Sequence, residues 1–215
     1  MKLNKLMFRE YDIRGIWNED ITEEISYYIG RAYATKLLSL KKNKMIVGYD
    51  NRLSSPIIEK NLVKGLTDGG VDVVRLGLVT TPMYYYAWDK LNIHCGIMIT
   101  ASHNPKEYNG FKMSYNGIHN CFGNEVAELY YIILNGIYSK GNGSITDANI
   151  KEDYIKMINS HINMGSNKLK VIYDCGNGTT SIVAKDIFVS NDNIEYIPLF
   201  AESDGTFPNH HPDPA

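Results

Sequence analysis

Ile97-Met98-Ile99-Thr100-Ala101-Ser102-His103-Asn104-Pro105, with Asn109-Gly110-Phe111-Lys112 just behind it, is the stretch from which the rest of the chain can be read. Ile93 to Ile99 is a short apolar run with one Gly and no Lys, Arg, Asp or Glu. A run of that length, closed by small polar residues and a Pro, predicts a buried strand that stops abruptly. The loop after it carries a hydroxyl, an imidazole and an amide on consecutive positions. Pro105 disfavours the helical region at Asn104, so the loop should stay extended. In open α/β sheets, ligands bind outside the carboxyl ends of the strands, where this loop would lie. A Ser there can be a nucleophile or carry a covalent group. An isolated Ser-His pair can equally be a polar turn capping the next element.

Length and composition bound the remaining choices. The chain has 215 residues, enough for one or two domains with a real core. A net charge of −2 gives no electrostatic reason to expect nucleic acid or an anionic membrane as partner. Cys95, Cys121 and Cys175 have no metal-ligand spacing, and so odd and sparse a set fits a reducing compartment. Arg9, Glu10, Asp12 and Arg14 precede any long apolar run, so no signal peptide is expected. Nothing approaches a transmembrane length, and the expectation is a soluble, cytoplasmic protein.

Periodicity places the elements. Phe8 to Trp17 reads as a strand or hairpin entry. Ile21 to Leu40 is a helix, with Ile25, Ile29, Ala32, Tyr33, Leu37 and Leu40 at helical spacing. Lys44 to Tyr49 is a strand. Pro56, behind a Ser cap, opens a helix that runs to Asp68 and ends at Gly69-Gly70. Val71 to Leu76 is a strand, Thr81-Pro82 opens a helix ending near Leu91, Gly110 to Ser114 is a strand and Gly123 to Asn135 a helix. From Gly136 to Asn149 the sequence turns to Gly, Ser, Asn and Lys, which marks a domain boundary. Beyond it come helix Ile150–Ile162, strand Leu169–Tyr173, helix Thr179–Val189 and strand Ile194–Leu199. The fold class is α/β, a mixed sheet flanked by helices over 1–140, then an incomplete second α/β domain over 150–215. Two strands are fewer than an independent sheet usually needs, so the chain reads as a truncated protein or an incomplete domain.

Thr100-Ala101-Ser102-His103-Asn104-Pro105 followed by Tyr108-Asn109-Gly110-Phe111-Lys112 resembles the phosphoserine loop of the α-D-phosphohexomutase superfamily, in its phosphomannomutase/phosphoglucomutase branch. Phe8-Arg9-Glu10-Tyr11-Asp12-Ile13-Arg14-Gly15 is similar to that family's opening motif, and Gly48-Tyr49-Asp50-Asn51-Arg52-Leu53-Ser54 to its second. Asp174-Cys175-Gly176-Asn177-Gly178 and Phe207-Pro208-Asn209-His210-His211-Pro212-Asp213-Pro214 resemble segments of its second domain. The matches run in order along nearly the whole chain.

The resemblance implies an intramolecular phosphotransferase that interconverts hexose 1-phosphate and hexose 6-phosphate, of mannose or glucose. It would work through a phosphoserine at Ser102 and a bisphosphorylated sugar. It further implies Mg²⁺ ligated through the Ser102 phosphate, and glucose 1,6-bisphosphate or an equivalent as activator. Hexose phosphates would be the partners. The family's metal and sugar-binding motifs are not in this sequence, so little or no activity is expected from the chain by itself. Lys112 matches the Lys implicated in general acid/base work; as a residue alone it reads as a solvated strand-edge cation. His103 either contacts the phosphate or holds the loop. Arg14, with its planar fork of donors, is a phosphate clamp or a partner of Asp12 or Glu10. Tyr11 resembles a substrate-contacting Tyr, and Asn104, grouped with Tyr11 and Arg14 at the substrate site, orients the loop. Asp50 and Arg52 read as bracing the following helix.

Other chemistries fit less well. Asp174–Gly178 lacks the spaced glycines and distal carboxylate of a nucleotide fingerprint and reads as a tight strand-to-helix turn. His210, His211 and Asp213 sit on an extended Pro-rich segment and read as a structural loop rather than a metal site. An esterase elbow would place Gly two residues either side of Ser102, where Thr100 and Asn104 stand. The alternative from another class is a non-catalytic phosphosugar-binding or interaction module.

Overall fold

The computed structural model describes residues 3–117 and 119–213. Pro214 and Ala215, the last residue of the quoted Pro-rich segment and the chain end, lie outside the described residues. A six-stranded mixed sheet is built from β1 (Ile13–Ile16), β2 (Lys44–Tyr49), β3 (Asp72–Leu78), β4 (Gly96–Ile99), β5 (Tyr108–Ser114) and β6 (Ile145–Asp147), in the order β1-β5-β4-β2-β3-β6. β4, β2, β3 and β6 run parallel to one another, whereas β5 is antiparallel to both β4 and β1.

The parity of the strands feeds two cores. Met45, Val47, Val73, Ile97, Ile99, Phe111 and Met113 face one side and pack with helices α1 (Glu23–Ser39), α2 (Ser55–Asp68) and α4 (Asn124–Asn135). Ile46, Val74, Leu76 and Met98 face the other and pack with Met83, Tyr84, Ala87 and Trp88 of α3 (Thr81–Lys90). That a parallel strand is apolar on both faces follows from its burial on both faces.

The predicted elements are present, with trimmed ends. Thr22 caps α1 by accepting from the Ile25 N–H at 3.2 Å, so the helix begins after it. Only Ile13–Ile16 of the expected Phe8–Trp17 strand is extended in the sheet, preceded by a 3₁₀ turn at Lys5–Met7. The expected Ser cap behind Pro56 is not one: the helix already begins at Ser55, whose hydroxyl donates to Asp50 Oδ1 at 2.7 Å, and Ser54, at the N-cap position, has helical backbone angles and makes no cap hydrogen bond.

Within the Gly/Ser/Asn/Lys-rich stretch, β6 adds an edge strand to β3, so part of the expected linker is sheet. After it come α5 (Lys151–His161), β7 (Leu169–Asp174), α6 (Ser181–Phe188) and β8 (Ile194–Leu199), with β7 and β8 forming a separate two-stranded parallel sheet. Ile150, Tyr154 and Val183 are buried in the same cluster as Met83 and Met98. The small sheet therefore gains its support from the α3 face of the large one.

Candidate active site

β4 ends at Ile99, and the turn that follows hangs Ser102 at the carboxyl end of the sheet. Ser102 is exposed and holds φ +58°, the left-handed region that non-glycine residues seldom enter. Its N–H donates to Thr100 Oγ1 at 3.0 Å, and Asn104 N–H closes the turn on the Ala101 carbonyl at 3.1 Å. Ser102 Oγ stands 3.4 Å from His103 Nδ1.

Arg52 holds this turn from behind. It is 1% exposed. Nη2 donates to the carbonyls of Ser102 (3.0 Å) and Asn104 (2.7 Å), and Nη1 to those of Pro105 (2.7 Å) and Tyr108 (3.1 Å). Nε donates to Asp50 Oδ2 at 3.2 Å, while Asp50 Oδ1 accepts from the Arg52 N–H and from Ser55 Oγ. Burial lowers the affinity of this guanidinium for its proton, and the Asp50 carboxylate opposes that; the group remains charged. Asp50 does brace the start of α2, as expected. Arg52 instead braces the Ser102 turn, a role the sequence did not mark.

Arg14, on β1, donates from Nη1 to Asn104 Oδ1 at 2.7 Å and from Nε to Asp12 Oδ2 at 2.8 Å. Of the two readings of Arg14, the ion pair with Asp12 is present, and the same guanidinium also touches the loop through Asn104. β1 approaches so closely because β5 offers Gly110 opposite Arg14; a Cβ there would meet the Ile13 carbonyl oxygen at 2.4 Å. Lys112 lies opposite Met98 on β5, half-buried, and its ammonium makes no hydrogen bond or ion pair among the described residues. Tyr11 is 70% exposed, and no hydrogen bond joins it to the loop.

A cleft of about 850 Å³ opens beside Ser102. Asp50, Thr100, Ser102 and His103 line one wall; Asp174, Gly176, His210 and Asp213 line the other. Lys112 and Tyr11 do not line it. His210 Nε2 is 3.2 Å from an Asp174 carboxylate oxygen, and its Nδ1 is 2.7 Å from the His211 carbonyl. Both neighbours are acceptors, so the imidazole is favoured in its doubly protonated form. The His211 carbonyl, and then Asp174, raise its pKa above the ordinary histidine value. Among the described residues, no three His, Cys, Asp or Glu side chains are arranged to hold a metal ion.

Sequence and structure comparison sets this geometry in a family. The phosphoglucomutase/phosphomannomutase α/β/α domain I model matches residues 5–136, and the domain II model matches residues 152–215. The chain belongs to the phosphoglucomutase/phosphomannomutase family. A phosphomannomutase/phosphoglucomutase of Pseudomonas syringae pv. tomato is 44% identical over 209 residues, covering 97% of this chain and 44% of the relative. A phosphoglucomutase of Neisseria meningitidis serogroup B is 39% identical over 211 residues, covering 97% of this chain and 45% of that protein. The crystal structure of a phosphoglucomutase/phosphomannomutase family protein from Burkholderia thailandensis superposes with a TM-score of 0.92 at 33% identity, covering 99% of this chain and 48% of that one. The chain spans about half the length of the curated relatives it matches.

Proposed function

We propose that this chain carries the phosphoryl-relay half of a phosphohexomutase, with Ser102 as the residue that gives and takes the phosphoryl group. One observation carries the reading: an exposed serine is held in a left-handed turn by a buried guanidinium, at the mouth of a sugar-sized cleft. A sugar hydroxyl oxygen attacks the phosphorus of phosphorylated Ser102; the new O–P bond forms as the Ser102 Oγ–P bond breaks, and the hydroxyl proton passes to a nearby base. The bisphosphorylated sugar then returns its other phosphoryl group to Ser102 Oγ, which leaves the isomerised monophosphate. His103, whose Nδ1 stands 3.4 Å from Ser102 Oγ, and Lys112, through its unprotonated amine, are the candidates to take that proton. Arg14 and Asn104, joined by a hydrogen bond, hold the loop and are the proposed substrate contacts there with Tyr11, which stands outside the cleft and open to solvent.

The substrates proposed are hexose 1- and 6-phosphates, with glucose 1,6-bisphosphate as activator, in a soluble protein. No described helix is long and apolar enough to cross a membrane. As to Mg²⁺, the described residues do not make a site for it. A phosphorylated Ser102 would lend it one oxygen.

The test is phosphate transfer to a chimera that joins this chain to the remaining portion of the Pseudomonas syringae relative. With glucose 1,6-bisphosphate and Mg²⁺, peptide mapping should place one phosphate on Ser102. Ser102→Ala should keep the fold and lose both the phosphate and turnover. Turnover close to normal in that variant would refute the relay. A wild-type chimera that binds hexose phosphate and takes up none would favour the non-catalytic binding module.

A further inference from the structure

The donors of Arg52 are committed to backbone oxygens and Asp50, so this residue has nothing left with which to bind a substrate. Its effect must pass through the loop it holds. In a trans peptide the N–H points away from the C=O, and no cis peptide occurs among the described residues. Drawing the Ser102 carbonyl inward to Nη2 therefore turns the next amide, the His103 N–H, away from Arg52 toward solvent. That N–H makes no hydrogen bond among the described residues, whereas the amides on either side are taken by Thr100 Oγ1 and the Ala101 carbonyl. The loop thus satisfies Ser102 N–H and Asn104 N–H and leaves the one between them open. A donor left free next to an exposed hydroxyl, with a charged guanidinium behind the same peptide, is the arrangement an anion requires.

We propose that Arg52 is a positioning residue that aims the His103 N–H at a phosphoryl group carried by Ser102, making a backbone phosphate site out of the turn. The inference rests on reading Ser102 as the phosphoryl carrier. A lysine cannot replace Arg52, because one ammonium cannot fork to the carbonyls of Ser102, Asn104, Pro105 and Tyr108 at once.

Inorganic phosphate probes the site without any transfer chemistry. In ¹⁵N-labelled protein the His103 amide proton should move downfield and saturate as phosphate is added, while the amide of Gly136, at the far end of α4, stays in place. Arg52→Lys should weaken that response about tenfold, the loss of one charge-assisted hydrogen bond, with the β2 and β4 amides unshifted. Equal phosphate affinity in a folded Arg52→Lys overturns the proposal. The wild-type titration stands even if the variant does not fold: a His103 amide indifferent to phosphate, or slow to exchange in its absence, overturns it as well. Failure of Ser102 to accept phosphate from glucose 1,6-bisphosphate would instead sink the carrier reading and leave this titration unchanged.

Discussion

Glu59 offers a test of the fold's electrostatics that needs no substrate. It sits on α2, 8% exposed, with Oε1 buried and without a hydrogen-bond partner among the described residues. The compensating cation is Arg75, and that guanidinium is already forked onto Asp147, Nε to Oδ1 at 2.8 Å and Nη2 to Oδ2 at 3.1 Å. Burial therefore dominates and raises the pKa of Glu59, Arg75 opposing and Asp147 adding. For an acid whose folded pKa is raised, the folded state binds more protons than the unfolded state between the two values. Stability then falls as pH rises from the unfolded pKa of about 4.5 through the raised folded value, and the full cost is present above it. Glu59→Gln removes the charge and keeps the shape. It also keeps a buried carbonyl, so the gain near pH 7.5 should be about 1 kcal/mol rather than the full 1–3 for an orphaned buried group. In a chain of this size that is a rise of about 2–4 °C in Tm. Urea or thermal unfolding of both proteins at pH 7.5 and pH 4 measures it, and the difference should shrink toward zero at the lower pH. A variant less stable at pH 7.5, or a difference that does not change with pH, would refute the reasoning.

The other expectations are more local. Gly110→Ala puts a Cβ 2.4 Å from the Ile13 carbonyl oxygen and 3.0 Å from that of Thr100, both backbone. It should cost about 3 kcal/mol in denaturant titrations and disturb the Ser102 turn, because β1 cannot stay paired to β5. His210 should titrate above the ordinary histidine value by ring-proton NMR, and Asp174→Asn should lower that pKa. The pairing stabilises the protein below pH 6.5 and is lost as pH rises through the raised value. In the active chimera, Lys112→Met should lower kcat about a hundredfold or more with a modest change in KM, measured by glucose 6-phosphate formation. An effect confined to KM would make Lys112 a phosphate anchor.

How much the sequence discloses depends on how local the cause is. Strand β4 and its abrupt end were legible because a short uncharged run and a Pro are contiguous, and α1 because its apolar stripe repeats at helical spacing. β6 was not legible: Ile145, Thr146 and Asp147 are all exposed, and such a short segment on a sheet edge has no burial pattern to write. The expected Ser cap before Pro56 failed for a different reason. Asn109, distant in sequence, is buried against the start of α2 and takes the hydroxyls of Ser54 and Ser55 as acceptors. Arg52 belongs to the same class, since its partners are backbone carbonyls that any sequence at those positions would supply. The motifs singled out the Ser102 loop, and only the fold shows what holds it.

The turn Asp50–Arg52 faces in two directions at once. Toward the first sheet, Arg52 fixes the Ser102 loop. Toward the second unit, Asn51 Nδ2 donates to the Asn177 carbonyl at 2.7 Å and to Ser203 Oγ at 3.1 Å, and Thr179 Oγ1 donates to Asn51 Oδ1 at 3.1 Å. Gly205 lies so close that a Cβ would meet the Asn51 carbonyl oxygen at 2.2 Å, and the Phe207 ring centre is 5.5 Å from the Arg52 guanidinium carbon. Neighbouring residues on one turn therefore carry both the Ser102 geometry and the docking of the 174–213 wall. The cleft owes its two walls to that turn, and a shift of either wall has a direct backbone route to the other. The hydrogen bonds also explain why so polar a turn is buried: Asp50, Arg52, Ser54 and Ser55 are each under one-tenth exposed, and each is satisfied within the first unit, by one another, by Asn109 or by the Ser102 loop, while Asn51 alone reaches across to the second. Apolar residues here could pack, but they could not hold a left-handed serine turn by its carbonyls on one side and a second sheet's loops on the other.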